Sequence, residues 1–231
     1  MDKKQILTAL KELREKSPKR NFKQTLDLSV TLKNIDLKKP DQKIDTYLVL
    51  PYSRGKKPKI CGLVHQLESK SKEAFDFTIM KDDFPVWKKD KKGAKKLAKQ
   101  YDFFVAQAEI MTNVADTFGK SFGPVGKMPN PKAGCVVPAA IPDLKPIAER
   151  LIKTVRLITK NETAIKVPVG NESMSDDEIA ENIENVYTAV INALPQRENN
   201  LDKVRLKLSM GPTFTIETKQ QTVETKKGKK K

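Results

Sequence analysis

Residues 24–33 read QTLDLSVTLK, in which Leu26, Leu28, Val30 and Leu32 alternate with Thr25, Asp27, Ser29 and Thr31. A period of two with apolar residues on one side predicts a strand with one buried and one solvated face. Near the other end of the chain, KVRLKLS repeats the pattern: Val204, Leu206 and Leu208 alternate with Lys203, Arg205 and Lys207, and Met210-Gly211-Pro212 then turns the chain into TFTIE. Each end also supplies an amphipathic helix. At the start, Ile6, Leu7, Leu10 and Leu13 fall at helical spacing, and the helix stops before Ser17-Pro18. In the last third, SMSDDEIAENIENVYTAVINAL opens with a Ser175/Glu178 capping box and carries the stripe Ile179, Ile183, Val186, Val190 and Leu194.

Between these ends the character changes. The runs FTIM and DFFVA alternate with a lysine-dense helix over residues 88–99, a helix from Glu109 and another near Leu144–Val155. Strand–helix alternation predicts a parallel sheet covered by helices. The sequence therefore predicts an α/β chain of two domains. The first is a discontinuous α+β domain over 1–65 and 158–231, with a basic tail at 226–231. The second, over 66–157, is inserted into it.

The composition narrows what such a chain can do. Its 231 residues include 45 Lys and Arg against 29 Asp and Glu, a formal charge of +16 that points to a polyanionic partner. Cys61 and Cys135 stand far apart without a C-x-x-C pair, and His65 is the single histidine, so a disulfide framework, a thiolate zinc site and a His-His metal site are excluded. No catalytic group, metal or cofactor is expected. No apolar run is long enough for a membrane span and the amino terminus lacks a signal peptide pattern, so a cytoplasmic chain without membrane contact is expected. Gly119-Lys120-Ser121 echoes a phosphate-binding loop, but Val114 stands where that motif requires glycine. The run WKKDKKGAKKLAKQ would place positive charge around much of a helix, to serve an RNA backbone or only to keep the helix solvated.

Two segments suggest a sharper RNA surface. Arg20, Phe22 and Thr25 set a cation, an aromatic ring and a hydroxyl at the start of the first alternating strand. Lys207, Ser209, Met210 and Gly211 end the later one in a tight turn. Phe22 could pack on a sugar or base, Thr25 and Ser209 could bond 2′-hydroxyls or phosphates, and Gly211 could let the backbone approach a ribose closely. The plainer alternatives are a core phenylalanine and an ordinary hairpin turn.

At these residues the chain resembles a known family. RNFKQTLDLSVTLKNID, FGPVGKMPNPKAG, VPVGNESMSDDEIAENI and KLSMGPTFTIE are similar, in order and spacing, to signature segments of the ribosomal protein L-one family in its archaeal form. The resemblance implies a first domain built from both termini, an inserted three-layer Rossmann-like domain and a two-stranded hinge. It also implies that the first domain binds large-subunit ribosomal RNA at the base of a mobile stalk that escorts deacylated transfer RNA from the exit site. Many members repress translation by binding their own messenger RNA, and the chain would be a monomer off the ribosome. Phe22, Thr25, Ser209, Met210 and Gly211 match the family's contact positions, and Lys166 occupies a position that lies near RNA in relatives. Ser209 stands where threonine is usual, and Val125 where arginine is common. The other readings are an α/β nucleotide-binding enzyme and a nonspecific basic RNA-binding protein.

Overall fold

A computed structural model describes residues 2–39, 42–138, 141, 143–159 and 162–216. The basic tail expected at 226–231 lies outside them. The chain divides into two compact units, Met1–Lys56 with Val155–Lys231, and Lys57–Thr154. It combines helices with antiparallel and parallel sheets, an α/β fold.

The first unit contains α1 (Lys3–Lys16), β1 (Thr25–Leu32), β2 (Asp45–Val49), β7 (Thr154–Ile158), β8 (Ala164–Asn171), α7 (Asp176–Ala193), β9 (Leu201–Leu208) and β10 (Thr213–Ile216). Four strands form an antiparallel sheet in the order β10-β9-β1-β8. The alternation in the sequence is the alternation in burial: Leu26, Leu28, Val30 and Leu32 are buried, and the residues between them are half-buried. Their inward side chains join those of Val204, Leu206, Leu208, Ile165 and Val167 in one core, which Ile6, Leu10 and Leu13 of α1 and Ile179, Ile183 and Val186 of α7 close from a single face. The Ser175/Glu178 capping box forms as expected and leaves three carboxylates in the first turn of α7, at the positive end of its dipole. β2 and β7 make a separate two-stranded sheet, laced by a bidentate Arg156–Asp45 pair.

The second unit contains β3 (Ile60–Val64), α2 (Glu68–Ala74), β4 (Phe77–Met80), α3 (Phe84–Lys89), α4 (Lys91–Gln100), β5 (Phe103–Gln107), α5 (Met111–Phe122), β6 (Val136–Val137) and α6 (Lys145–Lys153). Its sheet is wholly parallel in the order β4-β3-β5-β6. Cys61, Leu63, Phe104 and Ala106 pack with Phe84, Leu97, Val114, Phe118 and Phe122 of α3, α4 and α5. Gly62 points to the opposite face, where a Cβ would lie 2.4 Å from Ser71 Oγ of α2.

Two expectations need correction. The sequence places 60–64 in the first domain, yet this segment is hydrogen-bonded in parallel to β4 and β5, so the second unit begins near residue 57 and ends at 154. The single lysine-dense helix over 88–99 is two helices. Asp90 leaves helical geometry at φ −88°, ψ 75° and accepts a hydrogen bond from the Gly93 N–H, ending α3 and capping α4.

Candidate nucleic-acid interface

At one end of the antiparallel sheet, three distant segments are fastened together by Gln24, which is fully buried. Its Nε2 donates to the Pro18 carbonyl at 3.3 Å, and its Oε1 accepts from the Met210 N–H at 3.2 Å. Its backbone N–H donates to Glu172 Oε2 at 3.4 Å, and its carbonyl accepts from the Glu172 N–H at 2.9 Å. A buried amide with unpaired groups would be costly; here it joins the segment after α1, the segment after β8 and the turn after β9. Arg14 reinforces the same end, donating to Asp176 Oδ1 and to the carbonyls of Glu172 and Met174, each at 2.8 Å.

One residue along, Thr25 and Ser209 extend the ladder between β1 and β9. The Ser209 N–H donates to the Thr25 carbonyl at 3.1 Å, and Ser209 Oγ both accepts from the Thr25 N–H at 3.2 Å and donates to that carbonyl at 3.3 Å. The serine hydroxyl is thus committed largely to the protein's own backbone, with one lone pair left for a further donor. Met210, Gly211 and Pro212 form the hairpin turn between β9 and β10, closed by Gly211 N–H to Leu208 carbonyl at 3.0 Å.

The face opposite the helices carries cations and hydroxyls in register. Lys166, Ser29, Arg205 and Thr215 follow one another across the four strands, and Pro168, Asp27, Lys207 and Thr213 form the parallel row. Burial raises the Asp27 carboxyl above its ordinary value, against the opposing pull of Lys207.

Phe22 and Met210 retain 52% and 60% of their surface exposed, so neither is a core residue. Phe22 lies two residues from Gln24, whose side chain holds Met210, and both residues therefore belong to this sheet end. Arg20 and Lys207 are exposed and Thr25 is half-buried. Lys166 stands apart, about 13 Å along the strand direction from Thr25, and it is paired with Glu162 at 2.5 Å. Gly211 also has close neighbours within the protein. A Cβ there would meet Ser17 Oγ at 2.9 Å and Leu208 Cβ at 3.2 Å, so the close approach that glycine relieves is first to the protein itself. Among the described residues Ser17 Oγ is buried without a hydrogen-bond partner.

Sequence reasoning missed Gln24 and Arg205. Arg205 lay in plain sight on the solvated side of an alternating strand. Gln24 gave no local signal, because its partners are 6, 148 and 186 residues away.

Among the described residues no three His, Cys, Asp or Glu side chains cluster to hold a metal. Burial pushes the Cys135 thiol up to about 11 and Cys61 higher still, which leaves both as inert hydrophobic thiols. No helix among the described residues is long and apolar enough to cross a membrane.

Comparison with known proteins gives the family of the chain. The family described as Ribosomal protein L1p/L10e family matches residues 11–212. The chain is similar to the large ribosomal subunit protein uL1 of Methanothermococcus thermolithotrophicus, at 42% identity over 94% of this chain and 100% of that one. It is similar also to the uL1 proteins of Thermococcus kodakarensis, at 37% identity over 94% and 98%, and of Pyrococcus abyssi, at 38% over 93% and 96%.

Proposed function

This chain belongs to the ribosomal protein L1p/L10e family, whose members are structural proteins of the large ribosomal subunit and not enzymes; from that premise we propose that its first unit binds large-subunit ribosomal RNA through the sheet end organised by Gln24. Phe22 and Met210 meet sugar or base faces, while Thr25, Arg20, Lys207 and Arg205 meet 2′-hydroxyls and phosphates. Ser209 acts chiefly by fixing the Thr25 backbone, and its remaining lone pair is open to a 2′-hydroxyl. Lys166 gives long-range attraction, since touching a phosphate requires it to leave Glu162.

The observation that carries this reading is the preformed clamp: four hydrogen bonds made by one buried glutamine fix the Met210 backbone and the chain two residues after Phe22, two residues whose side chains are exposed, at the end of a sheet face that carries cations and hydroxyls. RNA recognised by shape needs a rigid surface of this kind, because every side chain ordered on binding subtracts from the affinity. On the ribosome the protein works at the mobile stalk and assists release of deacylated transfer RNA from the exit site. The same surface binds a stem-loop in its own messenger RNA that imitates the ribosomal site, and so represses translation.

Footprinting of the purified protein on whole large-subunit RNA tests the reading. One compact protected site is expected, with discrimination against unrelated RNA surviving removal of residues 226–231. Protection scattered over the RNA and abolished by that truncation would support a nonspecific basic binder instead. Competition between the ribosomal site and the protein's own messenger tests the regulatory part, since one shared surface requires the two RNAs to exclude each other.

A further inference from the structure

The second unit carries its own cationic face, and its construction differs from the mixed-charge surfaces of α1 and α2. Lys91, Lys92, Lys95, Lys96 and Lys99 of α4, with Lys89 at the end of α3, are all exposed, and Ala94, Leu97 and Ala98 face the core. At 100° per residue the five α4 lysines occupy a single arc of roughly 140°, not the whole circumference expected from the sequence. They run in two rows with steps of about 6 Å along the helix. Among the described residues none of the six forms an ion pair, whereas Lys88 beside them is paired with Asp116 at 2.6 Å.

This arrangement works against the helix. Lys91 and Lys95, Lys92 and Lys96, and Lys95 and Lys99 are like charges four residues apart and repel one another. Lys91 and Lys92 sit at the positive end of the helix dipole, in a first turn without an acidic residue. The adjacent carboxylate, Asp90, is occupied as the cap of Gly93. A face needed only for solubility is built with both signs, as elsewhere in this chain: Lys16 pairs with Glu12 on α1, and Lys72 with Glu68 on α2.

We propose that this face of α4 is a second RNA-binding surface, gripping the phosphate backbone of an RNA double helix without reading its sequence. Double-stranded RNA is favoured over single strands because the face offers no stacking platform: Trp87 is turned onto Phe118, with 6.3 Å between ring centroids. Lysine is suited to the task as a flexible point charge that adapts to phosphates at differing positions. The choice of RNA as partner rests on the assignment of the chain to the large subunit, but the surface is independent of the one formed by Phe22 and Met210.

The test replaces all five α4 lysines by glutamine in the full chain and measures affinity for an unrelated RNA duplex across a salt titration. The expected result is a salt slope lower by about three to five, roughly one for each phosphate no longer neutralised, with at least a tenfold drop in duplex affinity at low salt. The compact footprint on large-subunit RNA stays in place, and the five-arginine counterpart keeps the parental slope. Should the glutamine protein fail to fold, Lys95→Gln and Lys99→Gln singly are each expected to lower the slope by about one. An unchanged slope in a folded variant overturns the proposal and leaves a merely solvated face. An unchanged RNA slope with abolished binding to polyglutamate overturns it too, in favour of an acidic protein partner. Disappearance of the compact footprint on Phe22→Ala bears on the first surface alone, so the two readings fail separately.

Discussion

Strand β1 alternates half-buried with buried residues along its whole length, whereas all five residues of β3 are buried. Both are interior strands of their sheets. The difference lies in what covers them: α1 and α7 close one face of the antiparallel sheet, and the parallel sheet has helices on both. A sheet with one open face can present a row of side chains fixed in register by backbone hydrogen bonds, and shape recognition of RNA needs that fixity. A doubly covered sheet has no such row to offer, and what the second unit presents instead is the outer faces of its helices, where long lysines make charge available but little shape. On the two proposals made above, the units serve different parts of recognition, one for where the RNA is held and the other for how strongly its backbone is attracted.

The sharpest way to break this contrast is a pair of neighbouring substitutions in each strand. Leu28→Ala and Leu63→Ala remove fully buried side chains and are expected to cost about 2–5 kcal/mol each in denaturant unfolding. Their neighbours should part company. Ser29→Ala on the open face stays within about 0.5 kcal/mol, whereas Gly62→Ala costs about 1–3 kcal/mol, because its Cβ would press on Ser71 Oγ and the Phe75 ring at 2.4 and 2.7 Å. Equal, small effects at 29 and 62 would dissolve the distinction.

Gln24→Ala comes next. Removal of its bonds to Pro18 and Met210 is expected to destabilise the first unit by about 1–3 kcal/mol and to lower specific RNA affinity at least tenfold, with binding to unrelated duplex unchanged. Gly211→Ala is expected to cost about 1 kcal/mol through its approach to Ser17. The double substitution with Ser17→Gly should recover much of that stability in thermal unfolding, which it would not do if the glycine served only the RNA.

The smallest effect concerns pH. Because the Asp27 carboxyl lies above its ordinary value in the folded protein, folding favours its protonated form, and its contribution to stability declines as pH rises through the carboxylate range. Asp27→Asn is expected to remove that slope, to leave stability at neutral pH equal or slightly higher, and to strengthen RNA binding modestly by removing the negative charge beside Lys207.

Much of the fold is legible in the sequence because its signals are local. The alternation of β1 and β9 and the capping box of α7 each declare themselves within a few residues. The two-residue β6 is too short to carry a period. The break between α3 and α4 is hidden by lysines on both sides of Asp90, although an aspartate three residues before a glycine N–H is itself a capping signal. The segment 60–64 reads as part of the first domain from its position in the chain, yet its unbroken apolar run is what a strand covered on both faces requires. Exposure of Phe22 and Met210 depends on what the rest of the chain leaves uncovered, and the role of Gln24 depends on partners brought together only by folding.

Equilibrium binding of the Phe22→Ala/Met210→Ala protein to large-subunit RNA, against an unrelated duplex at the same salt, tests the central claim most directly. Both side chains are largely exposed, so the variant should unfold within about 0.5 kcal/mol of the parent. Specific affinity is predicted to fall by about 1–3 kcal/mol or more, while duplex binding and its salt slope stay unchanged. Full discrimination retained by the folded double variant would contradict the account, since the open sheet end would then not be where the RNA is recognised.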